Sequence, residues 1–539
     1  MQSYVRGPEA PLREQTIHGT FMDTVSRYPD RDALIARHER VQLTYAQLAE
    51  KVESTARGLV GLGLRPGSRV GIWAPNCAEW IYLQLAAARA GMVLVNINPA
   101  YRAHELAYVL RKSNIEAIFL LEQDERSAYR EILANAIHGQ DLPLKHTVCI
   151  GTESWHRFID AVCDVPPVEA TPWDVANIQY TSGTTGSPKG VLLTHRNVVN
   201  NGLFIGKWMD ATSRDRICIP VPLYHCFGCV IGVMVAINYG AAMVLPGARF
   251  HALPTMQAVE AERCTLLYGV PTMFIAQLNH PDFAKYDFSS LHGGIMAGAP
   301  CPVEIMKRVM TEMHCPRLTI VYGQTESSPV ISGSTADDTL EHRAWTVGCA
   351  FPNTEVKLVH RENGATVDRG EIGEICTRGY LVMKGYDEDP VATREVLDEE
   401  GWLHTGDLAV MHEDGYLHLT GRAKDVIIRG GENVYPKEVE GFLHEHPKVA
   451  NVEVVGVPDM KLGEAVAAWI ILRPGETADE QEIRSFCERS IAHFKVPQYF
   501  RFVDSFPTTV TGKTQKYIIR EREIQLRGLE EAARLHRVM

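Results

Sequence analysis

Apolar positions along the first 120 residues follow two alternating spacings, one helical and one extended. Leu48, Val52, Ala56, Leu59 and Val60 recur at helical intervals behind Thr44 and Gln47, which are spaced for a capping box. Residues 61–67 break that pattern, and Val70-Gly71-Ile72-Trp73 then reads as a buried strand. Further periodic runs predict helices over 78–90 and 103–111 and strands over 92–95 and 117–121. Strands alternating with amphipathic helices predict βαβ units, with a parallel sheet covered by helices on both faces. The rhythm continues to about residue 330.

From about residue 346 the texture changes to short alternating segments, such as 355–359 and 373–377, separated by Gly, Asn and Asp turns. These predict a small antiparallel sheet or barrel, with a hairpin formed by 408–411, His412-Glu413-Asp414-Gly415 and 416–419. A compact α+β unit follows Gly421-Arg422-Ala423-Lys424-Asp425, with a helix opened by Pro436, strands near 452–457 and 466–472, a helix over 479–492 and a final helix. The expected fold class is therefore α/β. A large N-terminal domain of doubly wound sheets with a β-barrel-like subdomain spans 1–423, and a small α+β domain spans 424–539.

Composition narrows the function classes. A net charge of −12 argues against a general nucleic-acid binder, whose footprint would be basic. Residues 1–20 lack the apolar core of a signal peptide. The one stretch worth testing as a membrane span, 226–246, is interrupted by Asn238-Tyr239-Gly240 and reads as a buried helix followed by a strand. The 12 cysteines are scattered without a disulfide framework, which points to a reducing, cytoplasmic setting. Cys226 and Cys229 form a CxxC, so a redox dithiol is one alternative. Both lie in an apolar stretch, where cysteine behaves as a small hydrophobe, and no second metal-ligand pair accompanies them.

The most informative segment is Tyr180-Thr181-Ser182-Gly183-Thr184-Thr185-Gly186-Ser187-Pro188-Lys189-Gly190, which follows an apolar run. Its glycines let backbone N–H groups approach an anion, its hydroxyls donate further hydrogen bonds, and Lys189 supplies a point charge. It is not a Walker A loop, because Lys189 follows a proline and precedes a glycine. A flexible Ser/Gly/Thr surface loop would share the composition.

The segment resembles the pyrophosphate-binding loop of the adenylate-forming superfamily, which contains acyl-CoA synthetases, aryl-CoA ligases, luciferases and adenylation domains of peptide synthetases. Further motifs follow in the family's order. Gly298-Ala299-Pro300 and Tyr322-Gly323-Gln324-Thr325-Glu326 resemble the adenine and magnesium elements. The resemblance implies that Tyr322 stacks on the purine, Thr325 contacts the α-phosphate and Glu326 is a hard oxygen ligand for Mg²⁺. Asp407, in Thr405-Gly406-Asp407, resembles the carboxylate that accepts the ribose hydroxyls, and Arg422 the arginine beside it. Lys424 matches the hinge of a mobile C-terminal domain, and Lys513 the lysine that bridges substrate carboxylate and α-phosphate. Arg429, Gly430 and Gly431 match the face presented to coenzyme A.

Pro222-Leu223-Tyr224-His225-Cys226-Phe227-Gly228 is similar to the acyl-site element, with His225 as a gate beside the carboxylate and Phe227 and Gly228 lining the pocket. No aspartate lies between Ile217 and Pro246 to pair with an amino-acid ammonium, so an α-amino acid is disfavoured. The resemblance is nearest to the medium-chain fatty acyl-CoA synthetase branch. It implies ATP, Mg²⁺ and coenzyme A as reactants and a small carboxylic acid as substrate. Neither nucleic acid nor a membrane span is expected, and family members that pair leave a homodimer open. Aryl, branched or terpenoid acids stay open as substrates. So do a CxxC oxidoreductase and a nucleotide-binding module without chemistry.

Overall fold

The computed structural model describes residues 1–181, 188–299, 301, 303–430, 432–488, 490–508 and 514–536. The chain divides into two compact units, one made of 5–356 with 377–404 and the other of 1–4, 357–376 and 405–539. The fold class is α/β, as the alternating apolar rhythm predicts.

The first unit holds two sheets. The seven-stranded sheet runs Gly385–Tyr386, Lys189–Thr194, Val175–Thr181, Val93–Asn96, Arg69–Trp73, Ile115–Leu120 and His146–Cys149. The nine-stranded sheet runs Cys349–Ala350, Val330–Gly333, Arg317–Gly323, Gly293–Ala297, Leu266–Gly269, Arg216–Cys218, Ala242–Leu245, Asp32–Ala36 and Val41–Thr44. The helix Tyr45–Gly61 opens on the expected capping box, with Thr44 and Gln47 exchanging side-chain and backbone bonds. Residues 226–246 form a buried π-helical turn, Phe227–Gly232, continued by the helix Val233–Tyr239 and the strand Ala242–Leu245.

The central strands are parallel, but Lys189–Thr194 runs antiparallel to Val175–Thr181, placing Lys189 opposite Thr181. Parallel strands need a crossover of a dozen or more residues, whereas only residues 182–188 separate these two, too few for a parallel return. The parallel rhythm expected to about 330 is broken at this point.

The expected hairpin is formed by Leu403–Met411 and Leu417–Arg422, antiparallel, at one edge of an open five-stranded path that continues through Ile372–Gly379 and Thr354–Val359 to Tyr4–Arg6. Further on, Gly463–Leu472 pairs with Ile427–Arg429, Val449–Asp459 and Tyr499–Phe502. Val439, Leu443, Val454, Ile470, Ile483 and Phe500 fill the core between this sheet and its helices. The helix near 479–492 is shorter than predicted, covering Glu480–Glu488.

Candidate active site

The strands Val175–Thr181 and Lys189–Thr194 carry the two ends of the segment 180–190. Ser182, Gly183, Thr184, Thr185 and Gly186 lie outside the described residues, but both flanks are held tightly. The hydroxyl of Tyr180 sits 2.7 Å from Ser113 Oγ, which donates to Asp387 Oδ2 at 3.0 Å. Burial pushes the Tyr180 phenol above its usual range, so it stays protonated. Tyr108 donates its hydroxyl to the carbonyl of Pro188 at 3.1 Å, fixing the exit. Asp387 donates its backbone N–H to the carbonyl of Gly190 at 2.7 Å and pairs through both carboxylate oxygens with Arg69, at 2.8 and 2.9 Å.

Tyr322 and Gly323 end the strand Arg317–Gly323, and a 3-10 turn over Thr325–Ser327 follows at once. That turn is closed by Ser327 Oγ, which accepts the backbone N–H of Gln324 at 3.0 Å. A Cβ on Gly323 would lie 1.8 Å from the carbonyl oxygen of Pro329, so only glycine permits this approach. Glu326 is buried, and its Oε1 accepts the hydroxyl of Tyr386 at 2.9 Å. The ring of Tyr386 also takes the Lys189 ammonium, 4.9 Å from its centroid. The structure thus brings Lys189 and Glu326 to one aromatic side chain. Gly298, at φ 86°, and Ala299 are exposed at the end of the strand Gly293–Ala297; Pro300 lies outside the described residues.

His225 lies just before the π-helical turn, and its Nδ1 accepts the backbone N–H of Phe227 at 3.2 Å. Cys226 Sγ lies 3.5 Å from the same nitrogen and 4.0 Å from Thr325 Oγ1, so the segment 222–228 borders the segment 322–326. A Cβ on Gly228 would meet the Pro222 carbonyl oxygen at 2.3 Å, which explains the small residue there. Phe227 is buried with its ring centroid 6.0 Å from that of Tyr268. π-Bulges inside helices recur at functional sites because the extra residue re-aims side chains.

Cys229 is fully enclosed, with its sulfur 3.3 Å from Gln179 Nε2 and 3.5 Å from Asn96 Nδ2. Burial pushes its thiol well up, with Cys226 adding to the shift, so no reactive thiolate forms there. All 12 cysteines are free. Replacing Cys226 and Cys229 together by serine is expected to leave turnover within about threefold of the parent, because serine keeps the acceptor that Gln179 and Asn96 use. Loss of all turnover in the well-folded double variant would restore the dithiol reading.

In the second unit, Asp407 and Arg422 face each other across the hairpin, with Arg422 Nε 2.9 Å from Asp407 Oδ1. Asp407 is buried, so its carboxylate is held against Arg422. Burial and the neighbouring Arg422 pull the Lys424 ammonium down. Arg429 braces its own unit, since its Nη1 donates to the carbonyls of Phe494 and Val496 at 2.8 and 3.0 Å. Gly430 is left-handed at φ 63°, while Gly431 and Lys513 lie outside the described residues. The chain described from residue 514 onward is anchored. Gln515 donates its N–H to the carbonyl of Pro507 at 2.8 Å, and the Lys516 ammonium is buried 2.5 Å from Glu440 Oε1.

Three residues of this arrangement carry no signature in the sequence: Tyr386, Asp387 and Arg69. Nothing in their local spacing marks them, because their partners lie far away in the chain. The only signal is a tyrosine and a carboxylate following a glycine at Gly385-Tyr386-Asp387.

Residues 21–387 match the AMP-binding enzyme family and 438–513 the AMP-binding enzyme C-terminal domain. YngI of Bacillus subtilis (strain 168), which carries the name putative acyl-CoA synthetase, is 46% identical, covering 97% of this chain and 100% of that protein. The mitochondrial medium-chain acyl-CoA ligase ACSF2 of Rattus norvegicus is 41% identical over 96% of this chain and 89% of its own. The crystal structure of ATP-bound MatB from Rhodopseudomonas palustris superposes with a TM-score of 0.84 at 29% identity, covering 94% of this chain and 99% of that one.

Proposed function

This chain belongs to the AMP-binding enzyme family and is an ATP-dependent acyl-CoA ligase, and from that premise we propose that medium-chain fatty acids are its substrates. The observation that carries the proposal is the apolar π-helical and helical run Phe227–Gly232 and Val233–Tyr239, buried and bordering Thr325, with no aspartate to meet an ammonium. The likeness to a ligase named for medium-chain acids supports the same reading.

In the first step a carboxylate oxygen attacks the α-phosphorus of ATP, the bond to the β-phosphate breaks, and pyrophosphate leaves. In the second the thiol of coenzyme A attacks the acyl carbonyl and AMP leaves. The protein positions groups and offsets charge. Lys189, with Thr181 and the loop 182–186, receives the polyphosphate. Thr325 takes the α-phosphate, and Tyr322, Gly298 and Ala299 frame the base. Asp407 and Arg422 hold the ribose. His225 borders the incoming carboxylate, and Lys513 brings a cation to the pentavalent centre. Lys424 is the pivot between the steps, and Gly430 and Gly431 leave room for pantetheine.

Magnesium enters as part of the nucleotide substrate, where it neutralises phosphate charge. Glu326 fits such a hard cation, since it is a buried carboxylate with Oε1 held by a neutral donor rather than by a cation. A compartment that keeps thiols reduced, such as the cytoplasm, suits 12 free cysteines.

The test measures AMP release with coenzyme A across saturated acids of increasing length, with benzoate and cinnamate alongside. The expected kcat/KM rises with each added methylene by roughly tenfold or more until the pocket is filled, then falls. A maximum on benzoate or cinnamate would move the enzyme to the aryl-acid ligases.

A further inference from the structure

Tyr386 lies outside the segments 180–190 and 322–326, yet it touches both. It lies in the edge strand Gly385–Tyr386 of the seven-stranded sheet, paired with the Lys189–Thr194 strand through Val191. Lys189 ends the phosphate loop, and Glu326 sits in the turn that leaves the nine-stranded sheet. The Tyr386 side chain, 8% exposed, meets the first with its face at 4.9 Å and the second with its hydroxyl at 2.9 Å.

A direct ion pair between Lys189 and Glu326 would cancel the charge that each offers a nucleotide. A neutral ring between them holds both without doing so, because the quadrupole attracts the ammonium while the hydroxyl donates to the carboxylate. We propose that Tyr386 is a positioning residue for the adenylation step, spacing Lys189 and Glu326 so that one reaches the leaving phosphates and the other their cation. This rests on the ATP-site reading above. Asp387, next to Tyr386, fixes the strand from the other side through Arg69, Ser113 and Gly190.

The experiment compares Tyr386→Phe, Tyr386→Leu, Lys189→Ala and Glu326→Gln in two half-reactions. One is pyrophosphate formation from acid and ATP at varied Mg²⁺; the other is thioester formation from supplied acyl-adenylate and coenzyme A. Tyr386→Phe keeps the ring and loses the bond to Glu326. Its Mg²⁺ half-saturation is expected to rise ~10-fold, the scale of a hydrogen bond to a charged group. Tyr386→Leu loses both contacts, so its KM for ATP should rise as well. Thioester formation, which involves no pyrophosphate, should stay within about twofold for both and reports that they fold. Unchanged Mg²⁺ dependence in Tyr386→Phe, or an equal fall in both half-reactions, overturns the role. If Lys189→Ala and Glu326→Gln also leave ATP handling intact, the ATP-site reading falls with it. If those two impair it and Tyr386→Phe does not, only the role of Tyr386 falls.

Discussion

Replacing Lys513 by alanine is expected to slow acyl-adenylate formation by about 10²–10³-fold while leaving the transfer of a supplied acyl-adenylate to coenzyme A nearly unchanged. Attack of a carboxylate on phosphate brings two anions together, and a preorganised cation stabilises the developing charge better than water does. Thioester formation has no such clash, since the nucleophile attacks a carbonyl. The asymmetry is read by measuring pyrophosphate release and acyl-CoA formation separately on one preparation. Equal losses in both would remove Lys513 from the adenylation step. The surrounding structure should survive the change, because Gln515, bonded to Pro507, and Lys516, buried against Glu440, hold the neighbouring chain without it.

Asp387→Ala should have the largest effect on stability in the first unit. Asp387 is 1% exposed and supports a bidentate pair with Arg69 and a bond from Ser113. Removing one partner of a buried pair leaves the other charge uncompensated, which costs about 3 kcal/mol or more. Solvent reaches part of Arg69, so the lower end of that range is expected. The loss should appear as a lower denaturant midpoint. It should also raise the KM for ATP, because Ser113 no longer fixes the Tyr180 hydroxyl beside the phosphate loop. Asp387→Asn keeps hydrogen-bonding capacity without the charge and should lose less. A stability unchanged within about 0.5 kcal/mol would place the pair among surface ion pairs.

Much of the support behind the strand Val175–Thr181 is built from such long-range contacts. Gln179 and Asn96 point into the first unit's interior and meet the Cys229 sulfur, and Asn177 donates to Asn96 Oδ1 at 2.9 Å. Buried polar groups of this kind are tolerated only when paired, and pairing them ties the strand that enters the loop to the π-helical turn.

What the sequence by itself determined was whatever depends on neighbours in the chain. The Thr44–Gln47 capping box, the strand Arg69–Trp73, the helix Ala78–Arg89 and the hairpin at 403–422 follow from local spacing and turn chemistry. The candidate segments 180–190 and Tyr322 to Glu326, with Asp407, stand out in the sequence for a related reason, since the approach to phosphates and a diol proposed for them demands particular residue types in a fixed local order. Only the tertiary structure decided that Lys189 and Glu326 share Tyr386, that Asp387 steadies the loop through Arg69, and that Arg429 caps the 493–496 segment. Those contacts join residues tens to hundreds of positions apart. Their energy comes from burial and charge pairing that no local period encodes, so they exist only once the sheets have brought the strands together.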